Sequence, residues 1–246
     1  LADNCWMDNP NRTDCTGETY HTKLRADIKA WNEIVDFAAE NGCDSILLDI
    51  ANGVRFETHP EIAVEGAWTP EFMRSEVKRL REEKGLQLIP RLNFSAGHDA
   101  WLKVYSRMLS TPKYYEVVKD LIKEVCEIFD TPELFPLGLD EENGLNQKKL
   151  TFAVYRQFDL IWHDLNFYFD CVRECGSRPW IWADWSWTHY DEFIENEDRN
   201  YDEALSYEAA VRLENAIWVE FGTGEYALND DGRKGGWHYK DAKGKW

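Results

Sequence analysis

The chain has 246 residues and a formal net charge of −18, from 46 acidic and 28 basic side chains. Nucleic acids and anionic membranes both attract basic surfaces, so this charge argues against either as a partner. Neutral sugars remain suitable partners, and the 12 tryptophans supply rings that stack on sugars or fill a core, where we expect most of them. The length fits one large domain, or one domain with a small appendage.

The six cysteines include no Cys-x-x-Cys pair. Cys43 and Cys126 lie in apolar stretches and are predicted to be buried free thiols. Cys171 and Cys175 are one turn apart on a predicted helix, a spacing that disfavours a disulfide. Free thiols favour a reducing, cytoplasmic compartment over export, although a leader removed earlier would be compatible with export. No apolar run of about 18 residues is present, which argues against a membrane span.

Helical and strand-like segments alternate along the chain. The predicted helices cover residues 21–41, 69–85, 111–129 and 148–174. Thr-Pro pairs open the second and third helices, since threonine caps a helix and proline suits its first position. The predicted strands cover residues 1–7, 44–50, 86–92, 133–139, 178–183 and 216–221.

This alternation indicates parallel βα units, which either a doubly wound sheet or a barrel contains. Polar residues follow the predicted strands in turn: Asp49 and Arg55, then Asn93 and His98, then Asp140 and Glu141, then Asp184. In a barrel such positions share one rim, so we predict the (β/α)8 TIM-barrel type. Eight repeats of this length need on the order of 340 residues, so the barrel is expected to be incomplete, with five or six units. We assign it to residues 1–205 and treat residues 206–246 as a separate C-terminal segment.

Asp140 and Glu141 follow an apolar strand directly. Successive side chains of a strand point to opposite sides, so the two carboxylates are expected to have different tasks. Crowded carboxylates raise the pKa of one member, which suits protonation of a leaving-group oxygen. A solvated acidic loop or a helix start explains the same residues equally well.

Four segments in this order resemble the catalytic barrel of glycoside hydrolase family 20, the β-N-acetylhexosaminidases and their relatives. Residues 137–141, Leu-Gly-Leu-Asp-Glu, are similar to the family's His-x-Gly-x-Asp-Glu signature. Residues 48–55 with the loop to 67, residues 88–98 and residues 180–184 resemble the segments at its second, third and fifth strands. Within this likeness, Pro136 stands at the signature's histidine, and Arg91 and Asn93 stand at acidic positions of the strand-three motif.

The resemblance implies that Glu141 is the general acid/base and that Asp140 orients a 2-acetamido group whose carbonyl oxygen attacks the anomeric carbon. It implies a glycosidase acting on an amino sugar such as N-acetylhexosamine, with a glycoside as partner. No cofactor is expected. No metal is expected either, because the six histidines are scattered outside any metal-binding motif.

Most of the other candidate residues have two interpretations, one functional and one structural. His98 is either a pocket residue or a loop-ordering one, and Asn93 belongs to the same loop. Arg55 either binds substrate or pairs with Asp49, with pairing favoured. Asp184 is a candidate for holding a sugar hydroxyl, and Trp182 is either the floor of the site or, as favoured, part of the core.

The end of the chain has a different character. Residues 216–225, Ala-Ile-Trp-Val-Glu-Phe-Gly-Thr-Gly-Glu, and residues 232–240 resemble the C-terminal part of a family of tailed-bacteriophage head–tail or minor tail components. A strand, a glycine turn and a basic terminus arising by chance also explain this segment. If the likeness holds, a phage structural component is one alternative to the enzyme. The missing strands motivate another, a non-catalytic carbohydrate-binding or vestigial barrel. The sequence leaves the oligomeric state undetermined.

Overall fold

A computed structural model describes residues 22–24, 26–96, 98–140, 156 and 159–182, together with the backbone of residues 217–219. The predicted first strand at residues 1–7 lies outside the described residues. So do Glu141, Asp184, the segment after residue 219 and all of residues 148–158 except Arg156.

Four α-helices are described: Ile28–Glu40 (α1), Pro70–Arg79 (α2), Pro112–Ile128 (α3) and Asp159–Glu174 (α4). The Thr69 and Thr111 side chains accept hydrogen bonds from Phe72 N and Tyr114 N, which confirms both predicted helix starts. Helix α1 begins later than predicted, because the Asp27 carboxylate caps it by accepting from Lys29 N at 2.6 Å. A π-helical turn, Leu80–Lys84, extends α2.

The strands are Ser45–Asp49 (β1), Gln87–Arg91 (β2), Leu134–Pro136 (β3), Arg178–Trp182 (β4) and Ile217–Val219 (β5). Strands β1 and β2 pair in parallel, and β3, β4 and β5 form a second parallel group. Backbone hydrogen bonds from Leu92 N to Pro136 O, 3.1 Å, and from Phe94 N to Leu137 O, 3.0 Å, join the ends of β2 and β3. The described strands therefore follow chain order, and their carboxyl ends meet at one edge, as parallel βα units require.

A 3-10 helical segment, Ala100–Met108, follows β2 and was not predicted. Lys103 interrupts it with a positive φ of 53°. The Lys103 ammonium donates to the backbone carbonyls of Glu61, at 2.6 Å, and Ala63, at 2.9 Å. This side chain therefore ties the segment after β2 to the loop after β1.

The core fills the space between the sheet and the helices. The apolar residues spaced along one face of the α3 region are all buried: Val118, Leu121, Ile122, Val125 and Phe129. On α1, Trp31, Val35 and Ala38 are buried, but Ile28 is 44% exposed. Ile28 occupies the first turn of α1, where it lines a surface groove with Trp31 and Phe72 instead of facing the core.

Of the two cysteines predicted to be buried, one is buried and the other is exposed. Cys126, in the last turn of α3, is buried. Cys43 is exposed, because it lies in the turn after α1 before β1 enters the sheet. No helix within the described part of the chain has the length and apolar character needed to cross a membrane.

Candidate active site

The carboxyl edge of the sheet brings together three charged side chains and one aromatic ring from four strands. Asp49 ends β1, Arg91 ends β2, Asp140 follows β3, and Trp182 ends β4. Parallel strands end at the same edge, so residues far apart in sequence become neighbours there.

Asp140 is the best-held carboxylate of this edge. Its Oδ1 accepts hydrogen bonds from Asn93 Nδ2 at 2.8 Å and from Arg91 Nη2 at 3.1 Å. Its Oδ2 lies 3.3 Å from Nε2 of the buried His98. The Ser95 hydroxyl donates to the Asp140 backbone carbonyl at 2.7 Å, so both the side chain and the main chain are fixed. With 21% of the side chain exposed, the carboxylate is fixed but still reachable from solvent.

The Asn93 amide is oriented before it reaches Asp140. Its Oδ1 accepts from Ser95 N at 3.0 Å and from Leu139 N at 3.3 Å, which leaves Nδ2 pointing at the carboxylate. Gly138 makes this packing possible, because a Cβ there would stand 2.2 Å from Asn93 Oδ1. Trp101 Nε1 donates to the Asn93 carbonyl at 2.7 Å. The strand ends of β2 and β3 are therefore interlocked at this residue.

Asp49 and Arg91 form the second part of the site. They are register partners in the β1–β2 pair, with Arg91 Nε 3.7 Å from Asp49 Oδ2. Burial raises the pKa of Asp49 from 3.8 to about 6; the Arg91 charge opposes this shift, and the Asp140 charge adds to it. The Arg91 guanidinium lies 5.7 Å from the Trp182 ring centroid, a cation–π distance. Arg91 thus bridges two carboxylates and an aromatic ring.

A buried ion pair supports this edge from behind. Arg156 Nε donates to Asp164 Oδ2 at 2.8 Å, and both side chains are 1% exposed. Arg156 Nη1 donates to the Phe94 carbonyl at 2.7 Å, and Nη2 donates to the Tyr114 and Tyr168 hydroxyls. The backbone next to Asn93 is therefore anchored to α3 and α4.

The structure brings together five of the predicted site residues: Asp49, Asn93, His98, Asp140 and Trp182. Their roles remain predictions. Trp182 is half buried and lies beside Arg91, so both interpretations of this residue, site floor and core, stay predictions.

The Arg55 side chain makes no described contact with this group, and the favoured Asp49–Arg55 ion pair is not formed. The Arg55 side chain is exposed, and its backbone N donates to the Trp68 carbonyl at 2.9 Å. The described partner of Asp49 is Arg91. Two further candidates, Glu141 and Asp184, are outside the described residues.

The contacts of Arg91, Ser95 and Arg156 were not predicted from the sequence. Arg91 had a usable signal, because pairing the two predicted strands from their first residues sets it opposite Asp49. Ser95 and Arg156 donate hydrogen bonds to backbone carbonyls, and no sequence pattern predicts such contacts. Within the described residues, no group of three or more His, Cys, Asp or Glu is arranged to hold a metal ion.

No protein-family model matches the sequence, and no curated protein matches it either. Solved structures do. The chain is similar to a β-N-acetylhexosaminidase from Bacteroides fragilis NCTC 9343 (TM-score 0.50, 14% identity, 66% of this chain and 40% of that one). It is also similar to a GH20 exo β-N-acetylglucosaminidase from Vibrio harveyi (0.54, 14%, 82% and 36%) and to a chitobiase from Flavobacterium johnsoniae (0.56, 16%, 80% and 36%).

These likenesses concern the fold. They indicate the (β/α)8 barrel type, and the chain spans about two fifths of the length of these neighbours. The described residues form part of such an arrangement and do not close a barrel. None of the comparisons supports the predicted phage-component likeness of the C-terminal segment, most of which lies outside the described residues.

Proposed function

We propose that the chain belongs to a glycoside hydrolase that cleaves N-acetylhexosaminides by retaining, substrate-assisted catalysis. Asp140 would hold the 2-acetamido N–H, and Glu141 would act as the general acid/base. The single observation that carries the proposal is the fixation of Asp140 by Arg91, Asn93 and His98 at the carboxyl edge of the strands. The neighbours with a similar fold are named as N-acetylhexosaminidases, which supports the same class of substrate.

The hydrogen-bond capacity of Asp140 suits this role. An ionised carboxylate accepts about four hydrogen bonds, two on each oxygen. Oδ1 already takes two donors, from Arg91 and Asn93. Oδ2 faces His98 at 3.3 Å and keeps capacity for one more donor. A substrate amide N–H suits this remaining acceptor position of Oδ2, because a carboxylate oxygen forms hydrogen bonds only with donors.

The surroundings of Asp140 also suit a positioning task. Arg91 supplies positive charge, and Asn93 and Ser95 fix the carboxylate plane and its backbone. A carboxylate held in one orientation loses little entropy when substrate binds, which is how positioning lowers a barrier. In the proposed reaction the acetamido oxygen attacks the anomeric carbon while Glu141 protonates the leaving oxygen, and Glu141 then deprotonates the water that opens the cyclic intermediate.

Turnover of nitrophenyl N-acetylglucosaminide tests the proposal, with nitrophenyl glucoside as the comparison substrate. Glu141→Gln is expected to lower kcat by about 100-fold or more, the usual contribution of a general acid/base. Asp140→Asn is expected to lower kcat for the N-acetyl substrate by a similar factor. Asp130→Asn is the matched control, since this exposed aspartate pairs with Arg81 away from the site. Unchanged turnover in Glu141→Gln would refute the proposal.

Sugar binding without hydrolysis is the second candidate. Arg91 and Asn93 occupy positions where the family's strand-three motif has acidic residues, and both donate to Asp140. A site rearranged in this way suits binding as well as catalysis. Calorimetry with N-acetylglucosamine would show binding that Asp140→Asn weakens, while the nitrophenyl substrates stay intact.

A further inference from the structure

Three thiols line one surface cleft at the end of the sheet opposite the candidate active site. Cys126 lies in the last turn of α3, Cys171 in the last turns of α4, and Cys175 in the turn after α4. They share a cleft of about 390 Å3 with Lys119, Lys123, Glu127, Thr131 and Glu174. This grouping is independent of the proposed glycosidase function.

Cys126 and Cys175 line the same cleft, although 49 positions separate them in sequence. The Cys126 Sγ also lies 3.7 Å from Ser177 Oγ, which fixes it toward the turn that carries Cys175. Cys171 and Cys175 are only four positions apart, a spacing that disfavours a disulfide between them.

The three thiols differ in accessibility. Cys126 and Cys171 are buried, whereas Cys175 is partly exposed. Burial raises the pKa of the Cys126 thiol to about 12, and it does the same for Cys171. The Lys119 ammonium, paired with Glu174 at 2.7 Å, lines the same cleft as Cys175. Because oxidants reach an exposed thiol before a buried one, Cys175 is the thiol of this cleft expected to react first.

We propose that this cleft is an oxidation site, in which a hydroperoxide converts Cys126 and Cys175 into a disulfide. Cys175 sulfur attacks one peroxide oxygen, the O–O bond breaks, and the other oxygen leaves as an alcohol, or as water when the oxidant is hydrogen peroxide. The resulting sulfenic acid is attacked by Cys126 sulfur; the S–S bond forms, the S–O bond breaks, and water leaves with the Cys126 proton. Two thiols are oxidised by two electrons, and the peroxide is reduced by two.

The disulfide would tie the end of α3 to the turn between α4 and β4. A cross-link that closes a long loop restricts the unfolded chain, so the oxidised protein is expected to melt at a higher temperature. The candidate active site lies at the other edge of the sheet, so the cross-link is not expected to change its contacts.

Peptide mapping after treatment with hydrogen peroxide tests this assignment on the unmodified chain. Trypsin cuts after Arg173, so Cys171 and Cys175 fall on different peptides and the linked partner is unambiguous. The expected product is a Cys126–Cys175 linked peptide, with a loss of two hydrogen masses from the intact protein. A linkage of Cys171 to Cys175, links to Cys5, Cys15 or Cys43, or three intact thiols in the cleft would each overturn the proposal.

Variants give a second readout. Cys126→Ala removes the resolving thiol, so Cys175 is expected to trap as a sulfenic acid that dimedone labels or to proceed to a sulfinic acid. Cys171→Ala and the exposed-thiol control Cys43→Ser are expected to form the disulfide as the unmodified chain does. Loss of the disulfide in Cys171→Ala, with the protein still folded by circular dichroism, would contradict the choice of partners.

Discussion

The Asp49 carboxylate and the Arg91 guanidinium meet at the ends of two adjacent parallel strands, with Asp49 Oδ2 3.7 Å from Arg91 Nε. The same guanidinium donates to Asp140 at 3.1 Å. One cation therefore serves two carboxylates of unequal environment. Asp49 is buried enough for its pKa to rise to about 6, so near neutral pH it is close to the point at which its charge changes.

The first prediction concerns how the free energy of unfolding changes with pH. The folded-state pKa of Asp49 is raised above its ordinary value of 3.8, so folding favours the protonated form. The stabilisation is fully present below about pH 4 and is lost as pH rises through about 6. It amounts to at most about 3 kcal/mol, since each pKa unit corresponds to about 1.4 kcal/mol.

Urea unfolding at several pH values measures this contribution of Asp49 to the free energy of unfolding. Asp49→Asn cannot ionise, so the stability of the natural chain relative to this variant is expected to fall between about pH 4 and pH 6. Asp130→Asn, at an exposed position, is the control and is expected to show no such trend. A difference between the natural chain and Asp49→Asn that is constant across this range would contradict the raised pKa.

The second prediction tests the source of that shift. Arg91 lowers the pKa of Asp49 against the effect of burial, so Arg91→Met is expected to raise it further above about 6. Titration of the Asp49 carboxyl carbon by NMR reads this directly. Arg55→Met is the matched control, because the exposed Arg55 has no described contact with Asp49. An equal response to both variants would mean that Arg91 is not the effective partner.

Structural features that depend on residues close together in sequence could be predicted from the sequence. The caps Thr69 and Thr111, the α3 core face and the convergence of Asp49, Asn93 and Asp140 follow from local patterns and from parallel strand ends. Arg55 could not be placed this way. Val54 forms an isolated bridge with Trp68, and Arg55 N donates to the Trp68 carbonyl. This pairing depends on tertiary contacts between segments that the local pattern does not relate.

The third prediction concerns Gly138, whose φ is +72° and whose missing Cβ leaves room for Asn93. Gly138→Ala is expected to cost about 1 kcal/mol for the left-handed backbone and about 1–3 kcal/mol more for the displaced neighbour. It should also displace the Asn93 amide from Asp140. Gly42→Ala is a close control, since its φ is +75° with no atom within 4 Å of the added Cβ. Denaturant midpoints that match for the two variants would show that Asn93 accommodates the methyl group.

The last prediction concerns the buried pair behind the site. Arg156 and Asp164 are each 1% exposed, and Arg156 donates further to the Phe94 carbonyl and the Tyr114 hydroxyl. Removing one member of a buried pair leaves the other charge without its partner, so Arg156→Met is expected to cost about 3–5 kcal/mol in unfolding free energy.

A surface pair provides the comparison for this last measurement. Arg81 and Asp130 also form an Arg–Asp pair, at 2.9 Å, but their side chains are 56% and 74% exposed. Water screens that pair, so Arg81→Met is expected to cost at most about 1 kcal/mol. The double variant Arg156→Met/Asp164→Leu is expected to recover part of the loss, because it removes the stranded carboxylate as well. If Arg156→Met is as mild as Arg81→Met, the anchoring of the Phe94 backbone does not depend on this ion pair.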